Sequence, residues 1–371
     1  MMQTTGKKCR WAILGGGNGG QSAAGHLALM GYPVILYDIF EETVAAINCE
    51  GGIHLSGVVE GFGELQGATT KLEHAVPTAD VVMVITPALA HAEIARGCAP
   101  LLRDGQVVVL HPGATGGALE FAQVLRESGC RAEVSLAETN SLIYACRSTR
   151  PAHATIYGIK HDLKVAALPA RDNERVLSFL ADPFPQIKAA RNVLETSLAN
   201  PNAMMHPAPT LLNTGRIESD QSWLYYWDGI TPSIARFVSA MDAERLAIAR
   251  ALDVHLPSIL DWYGQAYGAH GKDLKEAVRN NSAYADIQGQ HSLETRYLLE
   301  DVPLGLVPML ALGEALGVRV PHLRTIVDLA QLLLQKDLTS TGRTLKRLGL
   351  EGMDRDQIVR FVETGERGAG G

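Results

Sequence analysis

The chain lacks what several functional classes require. Cysteine is scarce, with five in 371 residues (Cys9, Cys49, Cys98, Cys130 and Cys146), an odd total without a CxxC pair. That fits neither a disulfide framework nor a zinc site, and implies reduced thiols in a cytoplasmic protein. No cluster of ligating side chains suggests any other metal. No apolar run approaches the roughly 20 residues that span a bilayer. Lys7, Lys8 and Arg10 precede only a four-residue apolar stretch, too short for a signal peptide. Positive charge is not in excess: the net charge is −7, which disfavours a nucleic-acid backbone as partner. What remains is an ordinary globular composition, 46% apolar and 20% charged, in a chain long enough for two domains.

The first half alternates short β-type runs with helical patterns. Strands are expected over 10–14 and 34–37, with helices over 19–30 and 41–49. Residues 53–55 and 58–62 read as a hairpin turning at Ser56-Gly57. The continuous apolar runs 81–86 and 107–110 suit strands buried on both faces of a parallel sheet, which 132–136 and 155–159 would extend. From about residue 194 β-type runs vanish, and helices are expected over 233–252, 304–316 and 321–334, with Gly317 as a stop signal. The fold class is therefore α/β, an N-terminal doubly wound Rossmann domain over 1–190 followed by an all-helical domain over 191–371. The glycine-rich tail 365–371 is expected to fray.

The clearest chemical signal is a G-x-G-x-x-G at Gly15, Gly17 and Gly20. It follows an apolar strand, opens a helix, and is followed 18 residues after Gly20 by an acid, Asp38, at the end of the second strand. Gly15 would permit the tight turn, Gly17 a close approach of the backbone to a pyrophosphate, and Gly20 close helix–strand packing. Asn18 opens the helix whose N-terminus would hold the phosphates. These features identify a nicotinamide-dependent oxidoreductase. Asp38 would accept the ribose hydroxyls and repel a 2′-phosphate, and residues 39–42 offer no cation, so NAD(H) is preferred and NADP(H) is the alternative. Asp38 would also serve as a cap for the helix at Glu41. Thr86-Pro87 and His111-Pro112-Gly113 fall at strand carboxyl ends, where cofactors bind in open parallel sheets, or are simply turns.

Two later stretches, NPNAMMHP at 200–207 and RYLLEDVP at 296–303, resemble the opine dehydrogenases, the octopine and nopaline dehydrogenase group. The likeness extends to Glu138-Thr139, to Ala145-Cys146-Arg147 and to the DAER run from Asp242 to Arg245, and spans about 10–360. It implies an enzyme that joins an amino acid to a 2-oxo acid through an imine, reduced by hydride from the nicotinamide. It also implies His206 and Asp301 as a catalytic pair, Arg296 as a substrate-carboxylate ligand, Glu138 at the amino-acid side, and an active site in the cleft between the domains. The residues after Glu138-Thr139 are Asn140-Ser141-Leu142, not the Leu-Pro-Trp of octopine-forming members, so the resemblance does not fix the amino donor.

Each residue has a plainer reading. His206 would end a helical turn before Pro207, Asp301 would cap the helix over 304–316, Arg296 would pair with Glu294 or Glu300, and Glu138 would be a structural acid at a strand end. The aromatic clusters at Trp223, Tyr225, Tyr226, Trp227, Trp262 and Tyr263 read mainly as helix-packing core, with one or two lining a substrate pocket. A 2-hydroxyacid or ketopantoate-type reductase is the enzymatic alternative. Such enzymes typically use a lysine in the first long helix of the second domain, and residues 192–214 contain none. A non-catalytic NAD-binding regulator is the alternative of another class. The partners expected are small-molecule substrates, with neither nucleic acid nor membrane; the oligomeric state, a homodimer among the options, is open.

Overall fold

The structure, a computed structural model, describes residues 8–219 and 221–367; residues 368–371 of the tail expected to fray lie outside these. The chain divides into two compact units. The first comprises Met1–Gly113, Gly117–Thr196 and Val362–Gly365, and the second Ala114–Gly116, Ser197–Phe361 and Glu366–Gly371.

The first unit is built on an eight-stranded sheet. Its strands are β1 (Trp11–Leu14), β2 (Val34–Tyr37), β5 (Gly67–Thr69), β6 (Val81–Val84), β7 (Val107–Leu110), β8 (Ser135–Thr139), β11 (Leu163–Leu168) and β12 (Ile187–Ala189). Their spatial order is β12-β11-β8-β7-β6-β1-β2-β5. Every neighbour pair is parallel except β11 against β8. The central strands β1, β6 and β7 are buried at every position, as continuous apolar runs covered on both faces require.

Three expectations are corrected. Residues 155–159 do not extend this sheet. They belong to β10 (His153–Ile159), in a second sheet of order β4-β3-β10-β9 with β3 (Gly52–Gly57), β4 (Gly61–Glu64) and β9 (Tyr144–Arg150). Burial along β10 alternates at first, with Ala154 and Ile156 inward, the pattern of a sheet packed on one face only. The hairpin exists, but it turns at 58–60 rather than at Ser56-Gly57. Gly57 is a packing glycine: a Cβ there would lie 2.2 Å from the Ile156 carbonyl oxygen of β10, and its φ is +94°. The strand expected over 132–136 forms three residues later, as β8.

The second unit is helical; outside its helices, among the described residues, the only β-type pairing is an isolated bridge between Leu224 and Gln288. Its longest helix (Pro232–Ala251) starts with Thr231 accepting the Ile234 N–H and Pro232 in the first turn, a well-formed N-terminus. The DAER run lies on this helix. Asp242 accepts from Arg245 Nε at 2.7 Å and from Ile259 N, and Arg245 donates to the carbonyls of Leu198 and Pro257. Glu244 accepts the N–H groups of His322 and Leu323, where the helix Pro321–Leu334 begins. These buried charges are thus spent on helix ends and chain crossings.

Candidate active site

The glycine loop has the shape its sequence implies. Gly15 has φ +118°, and a Cβ there would lie 2.2 Å from the Ile85 carbonyl oxygen; at Gly20 one would lie 1.7 Å from the Gly15 carbonyl oxygen. A Cβ on Gly17 would meet nothing within 4 Å. Gly17 is the N-cap of α1 (Asn18–Leu29), and no side chain caps that end. Open space therefore faces the uncapped amides of a helix N-terminus, the arrangement that accepts a phosphate. Asn18 turns its side-chain oxygen toward the Ser148 N–H at 2.9 Å. The buried Thr86 hydroxyl has no partner among the described residues, and Pro87 begins the chain's turn away from β6. These features fit a dinucleotide.

Asp38 follows β2 directly. Its Oδ2 accepts the Gly16 N–H, and its Oδ1 accepts the Phe40 N–H at 2.9 Å. It therefore organises the glycine loop and the entry to the next helix (Glu41–Glu50), whose N-cap is Phe40. Each carboxylate oxygen keeps a lone pair for a ribose hydroxyl. Ile39 and Phe40 are exposed beside it and bring no cation.

His111, left as either ligand-edge residue or turn, is a fixture of the fold. Its Nε2 accepts the Ile143 N–H at 3.1 Å, so Nδ1–H donates to Thr139 Oγ1 at 2.8 Å. Burial, reinforced by the Lys160 ammonium, pushes its pKa down to about 3. Glu138 is likewise enclosed, with relative exposure 0%. Its carboxylate accepts the Ala118 N–H at 2.7 Å and the Thr196 hydroxyl at 2.8 Å, so the geometry favours the structural reading of this acid.

In the second unit the sequence places His206 at a break between two short helices, α2 (Pro201–Met205) and α3 (Pro207–Leu212). Asn200 caps the first by accepting the Asn202 N–H. Pro207 has no N–H with which to continue that helix, so the chain bends at His206. The Tyr225 hydroxyl donates to the His206 carbonyl at 2.8 Å. Asp301 stands at the mouth of one π-helical turn (Val302–Leu306) but caps nothing with its side chain. Instead its Oδ2 accepts from His206 Nδ1 at 2.8 Å. The two residues are 6% and 7% exposed. The pair expected from the motifs is thus brought together across 95 residues.

A buried carboxylate on Nδ1 fixes one tautomer and leaves Nε2 as the nitrogen able to exchange a proton. Two aromatic residues complete the site. Tyr297 stacks on the imidazole, ring centroids 3.9 Å apart and planes 11° from parallel. The Tyr226 hydroxyl lies 3.4 Å from Nε2, and burial holds its pKa well above the usual phenol value, so it remains a donor. Tyr226 was within a cluster read as core. Tyr297 was not singled out, although it directly follows Arg296 in the motif.

Arg296 opens the short helix Arg296–Leu299. Its side chain is exposed, and among the described residues no acid pairs with it; Glu294 pairs with Lys336 instead. It is a free guanidinium five residues before Asp301, available to a carboxylate ligand.

Comparison with known proteins agrees with this geometry. Residues 189–334 match the model of the NAD/NADP octopine/nopaline dehydrogenase alpha-helical domain, and residues 11–134 that of ketopantoate reductase PanE/ApbA. The chain is 43% identical to an opine dehydrogenase of Arthrobacter sp. (strain 1C), covering 95% of this chain and 98% of that one. It is 29% identical to the protein ocs of Agrobacterium tumefaciens (strain Ach5), with 95% and 98% covered. A solved octopine dehydrogenase in complex with NADH and agmatine shares the fold, with a TM-score of 0.82 at 23% identity over 97% of this chain and 98% of that one. On the cradle for a dinucleotide, the helical second unit and these matches, the chain belongs to the opine dehydrogenase family, the octopine/nopaline dehydrogenases, NAD(P)-dependent oxidoreductases acting on CH–NH bonds.

Proposed function

We propose that this enzyme joins an amino acid to a small 2-oxo acid by NADH-dependent reductive condensation, and runs the reverse oxidation. The observation that carries the reading is the buried His206–Asp301 hydrogen bond, with an unpaired Arg296 one short helix away in sequence. The reaction consumes amine, oxo acid, NADH and a proton, and yields an N-(1-carboxyalkyl) amino acid, NAD+ and water. On this reading residues 1–190 serve as the dinucleotide-binding domain and 191–371 as the catalytic domain.

The amine nitrogen attacks the oxo carbon, and the carbinolamine must then lose its hydroxyl as water. Both steps move protons. Neutral His206 takes one at Nε2 as the C–N bond forms, Asp301 stabilises the imidazolium, and the proton returns to the departing hydroxyl as the C=N bond forms. NADH supplies the hydride to the imine carbon. Arg296 holds a substrate carboxylate through paired N–H donors. Asp38 supports NADH over NADPH, since its carboxylate repels a 2′-phosphate and no cation follows it. All five cysteines are free, which supports the cytoplasm as the compartment.

The match of residues 11–134 to ketopantoate reductases favours one rival, direct reduction of a 2-oxo acid. NADH oxidation measured over a grid of amino acids against pyruvate, glyoxylate and 2-oxoglutarate separates the two. The proposal expects turnover only when amine and oxo acid are both present. Equal rates with the oxo acid alone would establish the rival.

A further inference from the structure

Lys160 stands just after β10, in the first unit, and plays no part in the chemistry above. Its Nζ donates to Ser141 Oγ, and its backbone N–H to the Ile143 carbonyl at 2.9 Å. Among the described residues no carboxylate pairs with this partly buried ammonium. Lys164, four positions on, shows the ordinary arrangement: it bonds Glu195 at 2.5 Å. Burial lowers the pKa of Lys160. A cation kept out of water without a counter-charge is costly, and a ligand that brings the charge removes the cost.

The place of Lys160 indicates a ligand. Ser141 lies two residues past the carboxyl end of β8, at the edge where ligands bind in open parallel sheets. Leu142 packs where a Cβ on Gly19 would stand, at 3.1 Å, and β9, which carries Cys146, packs on α1, with the Ser148 N–H donating to Asn18 Oδ1 at 2.9 Å. The stretch 141–148 thus runs past the start of the glycine-loop helix. Across the sheet, β8 and β2 lie on opposite sides of β1, so Lys160 is on the side away from Asp38 and the adenosine ribose it would hold.

We infer that Lys160, oriented by Ser141, binds an oxyanion of the reacting ligands, either a phosphate of the dinucleotide or a carboxylate of a substrate. This deepens the proposed function and rests on it. A substrate carboxylate is suitable because the amino acid and the 2-oxo acid each carry one.

The test compares Lys160→Gln and Lys160→Arg with the wild type. NADH affinity is read by fluorescence titration without substrate, and KM is measured for each acid at saturating NADH. A phosphate ligand predicts an NADH Kd raised about ten-fold or more in Lys160→Gln. A carboxylate ligand predicts an unchanged NADH Kd and a KM raised by about that factor for one acid. In either case Lys160→Arg recovers most of the loss. The inference is overturned if Kd and both KM values of Lys160→Gln stay within about two-fold of wild type, or if both variants lose equally while their melting temperatures fall together. A wild type that binds NADH but turns over no amine and oxo-acid pair overturns the proposed function instead, and the NADH titration still reads the phosphate arm.

Discussion

His206 is held on every side that matters to a proton-transfer group. Asp301 fixes Nδ1, Tyr297 covers the ring face, the Tyr226 hydroxyl addresses Nε2, and Tyr225 pins the carbonyl. His206→Asn should lower turnover about 10²–10⁴-fold while NADH affinity, read by fluorescence, stays near wild type. Asp301→Asn should cost turnover too, and the double variant should be little worse than the worse single one, because the pair acts as a unit. Arg296→Ala should raise the KM of an acid substrate about ten-fold or more with little change in NADH affinity. Its guanidinium is exposed, so its removal leaves no buried charge unpaired and melting should barely change. Constants unchanged for both acids would return Arg296 to the surface. The contact of His206 with Asp301 and the exposed place of Arg296 were legible because two motifs carried these residues. The aromatic collar was not, because a tyrosine packed on a histidine and a tyrosine packed in a core have the same sequence signature.

The place of the proposed catalytic histidine depends on how closely two elements approach. A Cβ on Gly305, inside the π-helical turn after Asp301, would lie 2.9 Å from the Ala203 Cβ on α2. Gly305→Ala should therefore push α2 away and cost about 1–3 kcal/mol of stability. Turnover should fall with it, because His206 closes α2 and its bond to Asp301 would lengthen. Thermal melting and kcat check this; a variant with both intact would show the approach to be slack. Where apolar patterning was unambiguous, elements were read closely: the strand Val107–Leu110 and the helix Pro321–Leu334 lie at the residues expected. Reading failed where one residue type served two purposes. Gly57 read as a turn and is a close-packing position, and β10 read as a continuation of the main sheet although it builds a separate one. Strand partners are set by contacts far apart in sequence, which periodicity does not encode.

At the scale of the molecule, buried His111 links the stability of the first unit to pH. Its folded pKa of about 3 lies below the ordinary 6.5. The unfolded chain therefore takes up the proton first as pH falls. The stability His111 contributes is complete above about pH 6.5 and is lost toward pH 3, at up to about 1.4 kcal/mol per pH unit. Melting temperatures between pH 7 and 4 should fall more steeply for the wild type than for His111→Gln; parallel curves would contradict this. The division into an α/β unit and a helical unit was visible in the sequence because β-type runs stop near residue 194. The pairing of His206 with Asp301 was not visible in composition or period, since only the folded chain joins positions 95 apart. The central claim is that hydride ends on a carbon newly bonded to nitrogen. Mass spectrometry of the product formed from an amino acid, a 2-oxo acid and NADH deuterated at the transferred position tests it directly. The expected product is a condensed amino acid carrying one deuterium on the former oxo carbon; deuterium found instead in a free 2-hydroxy acid, with the amino acid untouched, would rule out reductive condensation.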